Sequence, residues 1–324
     1  MKKLLLIALA LNFVACSTDD SSENSTPSIA TVKGETFNPN PTPQDYLNAK
    51  HPQYLASVKS LEKDQKSITA KTAAFVSTYV PDAVFRSKLL SIGAATDANP
   101  GDQWIEIDNT RGGLYIPGSS GSQITDLTGI NAFVNLKQLI VSGNLLSTIN
   151  VSGLTNLQWI ECQGNQLTTL NLTANTKLEQ VWCQLNQLTS LVLPNSPALF
   201  GVWCYSNQLT TLNLNNNIGI TQLFIQGNQL TSFNFTPYVN IEQMNVSSNK
   251  WVTLNFNSNP KIKSIWAFTI TTLTDLSIKN GANGLVNIQD FTGNTKRPPI
   301  HVDKDFLPNA NMLWPNRGAS TYVE

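Results

Sequence analysis

The sequence predicts a solenoid: short coils stacked along one axis, with a parallel β-sheet on the concave face and little helix on the convex side. Three observations carry this. Asn144, Asn165, Asn186, Asn207, Asn228 and Asn249 recur at an unbroken spacing of 21 residues. Apolar residues keep the same offsets around each, as Leu157, Ile160, Cys162, Leu167, Leu170 and Leu172 do around Asn165. Before each asparagine, inward and outward positions alternate with the period of a strand.

Residues 1–15 carry Lys2 and Lys3, an apolar run from Leu4 to Leu11, and Val14-Ala15 directly before Cys16. The run is too short to span a bilayer and reads as a cleavable export signal. Small residues before a cysteine resemble the lipobox of bacterial lipoproteins, which implies that Cys16 is lipidated and opens the mature chain. An ordinary secretory peptide with an incidental cysteine is the alternative. Ser17-Thr18-Asp19-Asp20-Ser21-Ser22-Glu23 resembles the surface-export signal of Bacteroidetes lipoproteins, implying an outer-membrane lipoprotein that faces the cell exterior. Residues 16–42, rich in Ser, Thr, Pro and Asn, cannot bury enough apolar area to fold and are expected to form a flexible tether.

Between Pro43 and about Ile92 the apolar spacing is helical: Tyr46, Leu47, Tyr54, Leu55, Val58 and Leu61, then Ala74, Phe75, Thr78 and Tyr79, then Val84, Phe85, Leu89 and Leu90. Two or three short helices are expected within a small α-helical N-terminal cap, 43–113, because the first coil of a solenoid otherwise leaves an apolar end open. The cap also holds Asp97-Ala98-Asn99-Pro100-Gly101-Asp102, ending near Asp108, a degenerate form of the calcium loop D-x-N-x-D-G with an acid at its twelfth position. Gly101 replaces a ligand, Asp102 replaces the glycine, and Asp108 is shorter than the usual glutamate. Loss of calcium binding is expected, and no metal or cofactor is assigned.

The solenoid is expected over 114–279. Leu114 and Ile116 form an irregular first strand, and regular units start at Leu136, Leu157, Leu178, Leu199, Ile220 and Ile241. Each reads L-x-x-L-x-L-x-x-N-x-L-x-x-L-x-L, the leucine-rich-repeat pattern at its short end. At ~4.8 Å per rung, six units give a sheet about 29 Å long. The asparagines, buried where the strand bends away, can satisfy backbone groups of their own and the neighbouring coil. A degenerate seventh unit at Ile262 keeps Ile265 and Ala267 but has Ile270 in the asparagine position, and Leu273, Leu276 and Ile278 arrive one position late. Regular winding is expected to end there, with 280–324 as a C-terminal cap.

Two columns of side chains follow from the register. Cys162, Cys183 and Cys204 share one inward offset, where Val141, Ile225 and Val246 stand in other units. They read as small core hydrophobes; no C-x-x-C or paired histidine supports zinc, and a disulfide between adjacent rungs would leave the third thiol free. The central outward offset runs Ile140, Glu161, Trp182, Trp203, Phe224, Asn245, Trp266. Beside it stand Trp159, Gln180 and Gln222 on one flank, and Gln163, Gln184, Tyr205, Gln226 and Phe268 on the other. Rings bordered by amides are thus expected to line the concave face, bare to water. Aromatic residues also stabilise sheets, but a contiguous exposed patch of them marks a contact surface.

Lys and Arg number 21 and Asp and Glu 21; without the two signal lysines 19 face 21, a formal charge of −2. That gives no electrostatic case for nucleic acid. The charged fraction is 13%, about half the usual share, so recognition by hydrogen bonds and stacking is favoured over charge. Only His51 and His301 are present, without a nucleophile-elbow or zinc signature. Glu161 and Glu179 near the concave strands are a weak signal for glycoside hydrolysis. A non-enzymatic chain is expected.

Asn165-Gln166-Leu167-Thr168-Thr169-Leu170-Asn171-Leu172 resembles the repeats of bacterial leucine-rich-repeat surface proteins of the Bacteroidetes, similar in architecture to internalins. Val80-Pro81-Asp82-Ala83-Val84-Phe85 resembles their capping helix, and Thr125-Asp126-Leu127-Thr128-Gly129-Ile130 their leading turn. Ile300-His301-Val302-Asp303, Asn309-Ala310-Asn311 and Trp314 resemble their closing segment. The resemblance implies a surface-anchored protein whose concave face binds a protein partner or mediates adhesion. A glycan-binding platform for polysaccharide capture and an envelope spacer without a ligand are the alternatives.

Overall fold

The computed structural model describes residues 75–286, 288–313 and 317–324. The export signal, Cys16, the tether, the helices expected over 43–74, His51 and Trp314 lie outside the described residues.

The described chain opens with β1 (Phe75–Tyr79), α1 (Ala83–Ser91), β2 (Ala95–Thr96) and β3 (Trp104–Asp108); β3 is the middle strand of an antiparallel sheet. The expected helix through Phe75, Thr78 and Tyr79 is corrected to a strand. Phe-Val-Ser-Thr-Tyr is a run of aromatic and β-branched residues, which a pleated surface accommodates better than a helix does. α1 stands where the spacing places it. Asp82 caps it, accepting the Phe85 amide at 2.8 Å. The second carboxylate oxygen accepts the Thr125 amide and hydroxyl at 2.8 and 2.7 Å and the Asp126 amide at 3.1 Å, joining cap to solenoid. Burial works to raise the Asp82 pKa, but these bonds hold it below the ordinary value. Phe85, Leu89, Ile105 and Ile107 are fully buried, closing the first coil.

From β4 (Gly113–Tyr115) the chain winds through β5 (Gln138–Ile140), β6 (Trp159–Glu161), β7 (Thr169–Asn171), β8 (Gln180–Trp182), β9 (Ser190–Val192) and β10 (Gly201–Trp203). It continues through β11 (Gln222–Phe224), β12 (Gln243–Asn245), β13 (Thr253–Asn255), β14 (Ser264–Trp266), β15 (Asp275–Ser277) and β16 (Ile288–Asp290). β17 (Ile300–His301), α2 (Ala310–Leu313) and β18 (Tyr322–Val323) finish it. Nine strands, β4, β5, β6, β8, β10, β11, β12, β14 and β16, make one parallel sheet. Nine rungs at ~4.8 Å span about 38 Å. β7 with β9, and β13, β15, β17 and β18, form two further parallel ladders. The coils contain short 3-10 turns at Ile130–Ala132 and Asn283–Leu285 in place of convex α-helices.

Inside the coils, Ile160, Val181, Val202, Leu223, Met244 and Ile265 form one fully buried column and Val141, Cys162, Cys183, Cys204, Ile225 and Val246 another. The three cysteines are free thiols packed as core residues. Burial pushes the Cys162 and Cys204 thiols up to about 12 and raises Cys183 as well.

The asparagines do the bonding anticipated for them. Asn186 Oδ1 accepts the Leu167 amide of the preceding coil at 3.0 Å, while its Nδ2 donates to Cys162 O at 3.0 Å and Cys183 O at 3.1 Å. Asn165, Asn207, Asn228 and Asn249 repeat the pattern coil by coil. Asn144 makes equivalent bonds to Ile116, Ile124 and Val141. The residue before each is left-handed: Gly143, Gly164 and Gly227, but also Leu185, Ser206 and Ser248. That turn aims the amide inward.

Winding does not stop at residue 279. Ile270 carries no amide, yet its own backbone N–H donates to Asn294 Oδ1 at 2.8 Å, and Asn294 Nδ2 reaches Ala267 O and Phe291 O. The ladder therefore skips to Asn294 across a coil of 24 residues rather than 21. β16 pairs with β14 above it, so the late apolar residues mark a longer coil rather than an end.

Candidate functional site

In-register pairing sets Trp182 opposite Trp203, Trp203 opposite Phe224, Phe224 opposite Asn245 and Asn245 opposite Trp266. Because strand side chains alternate, these residues leave the sheet on the face away from the apolar columns. Trp182 and Trp203 meet edge-on at 5.3 Å between centroids, and Trp203 stacks on Phe224 at 5.8 Å with 4° between planes. Phe224 and Trp266 approach to 6.3 Å across the gap left by Asn245. The rings thus use their faces on each other, in the offset and edge geometries their quadrupoles favour.

Two details orient them. Trp182 Nε1 donates to Gln180 Oε1 at 3.0 Å, drawing the indole along its own strand. The Trp203 indole lies over Gly201: a Cβ there would stand 2.3 Å from Cζ3 and 2.6 Å from Cη2. Gly201 is therefore required by a ring on its own strand, a role nothing in the repeat pattern announces.

Every ring and amide singled out in the sequence lies on this one face. Trp159, Gln180 and Gln222 flank the central column on the side of Gly201, and Gln163, Gln184, Tyr205, Gln226 and Phe268 on the other. The expectation that they stand bare to water is corrected. Trp182, Trp203, Phe224 and Trp266 are 1–3% exposed, and Gln180, Gln184 and Gln222 are buried too. Trp159, Gln163, Tyr205, Gln226 and Phe268 are partly covered. Asn245 of the central column and Ser247 and Ser264 on its flanks share the burial.

Burial leaves an electrostatic signature. Desolvation pushes the Glu161 carboxyl up to about 7, opposed by the Gln163 amide 3.4 Å from Oε2. Burial also raises Tyr205, with Gln184 opposing, and raises Glu179. Glu179 accepts a bond from Gln158, so the two acids have separate partners. Glu161 Oε1, the Oε1 atoms of Gln163, Gln184, Gln222 and Gln226, and Asn245 Nδ2 are buried without a hydrogen-bond partner. Among the described residues the strip thus holds five unused acceptor oxygens and one unused donor nitrogen.

Chemistry outside the strip is sparse. Among the described residues no group of three or more His, Cys, Asp or Glu is placed to hold a metal ion. In the degenerate calcium loop, Asp97 accepts the Asn99 amide, Asp102 the Trp104 amide, and Asp108 both the amide and hydroxyl of Thr110. His301 Nε2 lies 3.0 Å from Asp275 at the surface.

Neither a family model nor a curated protein matches the sequence. Solved structures do match. An internalin of Listeria monocytogenes, InlF, is 17% identical over 76% of this chain and 69% of its own, with a TM-score of 0.50. The functional domain of InlJ from the same organism, described as including a cysteine ladder, is 20% identical over 71% of this chain and 63% of its own, with a TM-score of 0.35. A leucine-rich-repeat protein of Leptospira interrogans is 17% identical over 62% and 58%, with a TM-score of 0.48. The chain thus spans about three fifths of the length of the latter two. The 21-residue coils, the nine-rung parallel sheet and the likeness to InlF together give this chain the leucine-rich-repeat solenoid fold.

Proposed function

We propose that this chain is a surface-anchored, non-enzymatic lipoprotein that binds a protein partner through the concave strip centred on Trp182, Trp203 and Phe224. The observation that carries the reading is the pairing, on one face, of a four-ring column with buried amide and carboxylate oxygens that have no hydrogen-bond partner among the described residues. Sheet stabilisation alone would account for the rings. It would not account for unsatisfied acceptors, each costing about 1–3 kcal/mol when buried without a partner. Aromatic anchors surrounded by polar groups are the composition of a binding hot spot. The ring faces are turned on one another, with Trp203 and Phe224 nearly parallel, so they do not offer the open faces on which a sugar stacks. That favours protein over glycan.

The test uses the mature chain on beads, exposed to solubilised cell-surface proteins, in parallel with a glycan array. Trp182→Ala with Trp203→Ala should weaken the affinity for a saturable protein partner by about a hundred-fold. An unchanged affinity sinks the site. Saturable binding to one polysaccharide class, with no protein retained, overturns the preference for protein.

A further inference from the structure

All three aromatic side chains that stand exposed among the described residues lie on one small face: Phe75 is 50% exposed, Tyr79 43% and Trp104 52%. They belong to the cap sheet, in which β3 pairs with β1 on one side and with β2 on the other. Ile105 and Ile107 point into the core, so strand alternation turns Trp104 and Glu106 outward. The register carries this to the neighbouring strands. Tyr79 stands opposite Trp104, Phe75 opposite Asp108, and Glu106 between Ser77 and Thr96. The outer face therefore has Tyr79 and Trp104 at one end, a polar row of Ser77, Glu106 and Thr96 across the middle, and Phe75 at the other end. Ser77 and Thr96 are exposed and Glu106 is half-buried. Four residues at ~3.4 Å separate Phe75 from Tyr79 by about 14 Å.

Packing does not account for this arrangement, because the apolar surface that closes the first coil is the opposite face of the sheet. Tyr79 and Trp104 form a cross-strand pair, 5.7 Å between centroids and tilted by 54°. Such a pair supports the sheet, yet at that tilt each ring keeps a face for water. Phe75 has no ring opposite it, only Asp108, which is turned to the amide and hydroxyl of Thr110.

Ring faces at both ends with hydrogen-bonding groups between them call for an extended, amphipathic occupant. A pyranose offers an apolar C–H face to an aromatic ring and hydroxyls at its edges, which Ser77 and Thr96 can meet as donors or acceptors and Glu106 as acceptor. Three strands ~4.8 Å apart make the face about 10 Å wide. An area of about 14 by 10 Å is far below the ~800 Å² that each partner buries in a stable protein interface, so neither a second copy nor another folded protein suits it. Glu106 gives the middle row a carboxylate and no cation, which disfavours acidic sugars.

We infer that the outer face of β1, β3 and β2 is a second binding site, separate from the concave strip, for a neutral linear glycan whose sugar rings lie on Trp104, Tyr79 and Phe75. The site does not rest on the partner-binding reading.

The experiment runs the mature chain on native gels cast with neutral polysaccharides: a β-glucan, a xylan, a galactomannan and an α-glucan. At least one should retard the parent in proportion to its concentration, with a free oligosaccharide of the same linkage restoring mobility. Trp104→Ala and Phe75→Ala should each weaken that affinity about ten-fold, with the circular dichroism of the parent retained, since both side chains lie outside the core. Trp182→Ala with Trp203→Ala should leave the retardation unchanged. Absence of retardation by all four polysaccharides overturns the inference. So does retardation that survives both cap substitutions, or that disappears in the concave variant. A concentration-dependent dimer of the parent that Trp104→Ala dissolves assigns the face to a second copy and overturns it as well. Each of these failures leaves the capture of a protein partner by the concave strip to its own test.

Discussion

At the scale of the residue, stability in this chain depends on sharing. Cys162 O accepts from Asn165 and Asn186, and Cys183 O from Asn186 and Asn207. Replacing one asparagine therefore leaves each carbonyl one donor and strands only a single amide. Asn186→Leu should cost about 2 kcal/mol, mostly through the Leu167 N–H. Adding Asn207→Leu removes both donors from Cys183 O, so the double variant should exceed the sum of the singles by about 1 kcal/mol. Urea midpoints of the four proteins check this, and strict additivity would show that the ladder bonds act independently. The left-handed residues give an opposite-signed case. Leu185 sits at φ 57° and is 38% exposed, whereas glycine holds the equivalent place in other coils. Relief of about 1–2 kcal/mol of backbone strain outweighs the roughly 0.5–1 kcal/mol of chain entropy that glycine costs. Leu185→Gly should raise the urea midpoint, by about 0.5–1 kcal/mol in stability.

At the scale of the element, strand β6 carries a carboxyl whose titration burial shifts strongly upward. Glu161 holds its proton to about pH 7 in the folded chain against an ordinary 4.5. The folded state thus binds the proton more tightly, its contribution is fully present below about pH 4.5, and it is lost as pH rises towards 7. A gap of that size corresponds to about 3 kcal/mol. Glu161→Gln keeps the shape and removes the charge, so it should be more stable than the parent by that order at pH 8 and indistinguishable at pH 4. Parallel pH profiles for the two proteins would show that the carboxylate is solvated. What the sequence disclosed at this scale has a definite limit. Strand periodicity placed every concave residue on the right face, because a period of two admits no partial slip. It gave no information on cover: Trp203 is packed between Trp182 and Phe224 of the neighbouring rungs, and its orientation depends on Gly201, two residues away on the same strand. The strand at Phe75–Tyr79 is hidden from local spacing for a related reason. Its pairing with Trp104–Asp108 is set by a partner about 30 residues on, which local spacing cannot register. Asn175, Asn217 and Asn259 form a second buried ladder, bonding backbone carbonyls of neighbouring coils. The 21-residue period does not disclose it, because Ser196, bonded to Asn217 and Leu178, stands between Asn175 and Asn217, and Tyr238 stands between Asn217 and Asn259.

At the scale of the whole molecule, a solenoid is a row of coils each stabilised by its neighbours, so its cooperativity is a question about interfaces between coils. Here the interfaces are dense with shared bonds, since each asparagine ties its own coil to the one before, and the skip to Asn294 carries the same bonding past the degenerate unit. Cys162, Cys183 and Cys204 report on this directly, because they occupy three successive coils, are fully buried and have thiols raised by that burial. A thiol-specific reagent should modify none of them on the folded chain within the time it takes to modify all three in denaturant, because thiolate and access are both missing. Under mild denaturant the three should react at one common rate, since exposing Cys183 requires parting it from both flanking coils. Mass spectrometry of partly modified protein distinguishes the cases. Chains carrying either no label or three indicate a single cooperative block across these coils. A ladder of singly and doubly labelled chains, with Cys162 or Cys204 reacting before Cys183, would mean that the solenoid frays coil by coil and that the shared asparagine bonds do not couple neighbours.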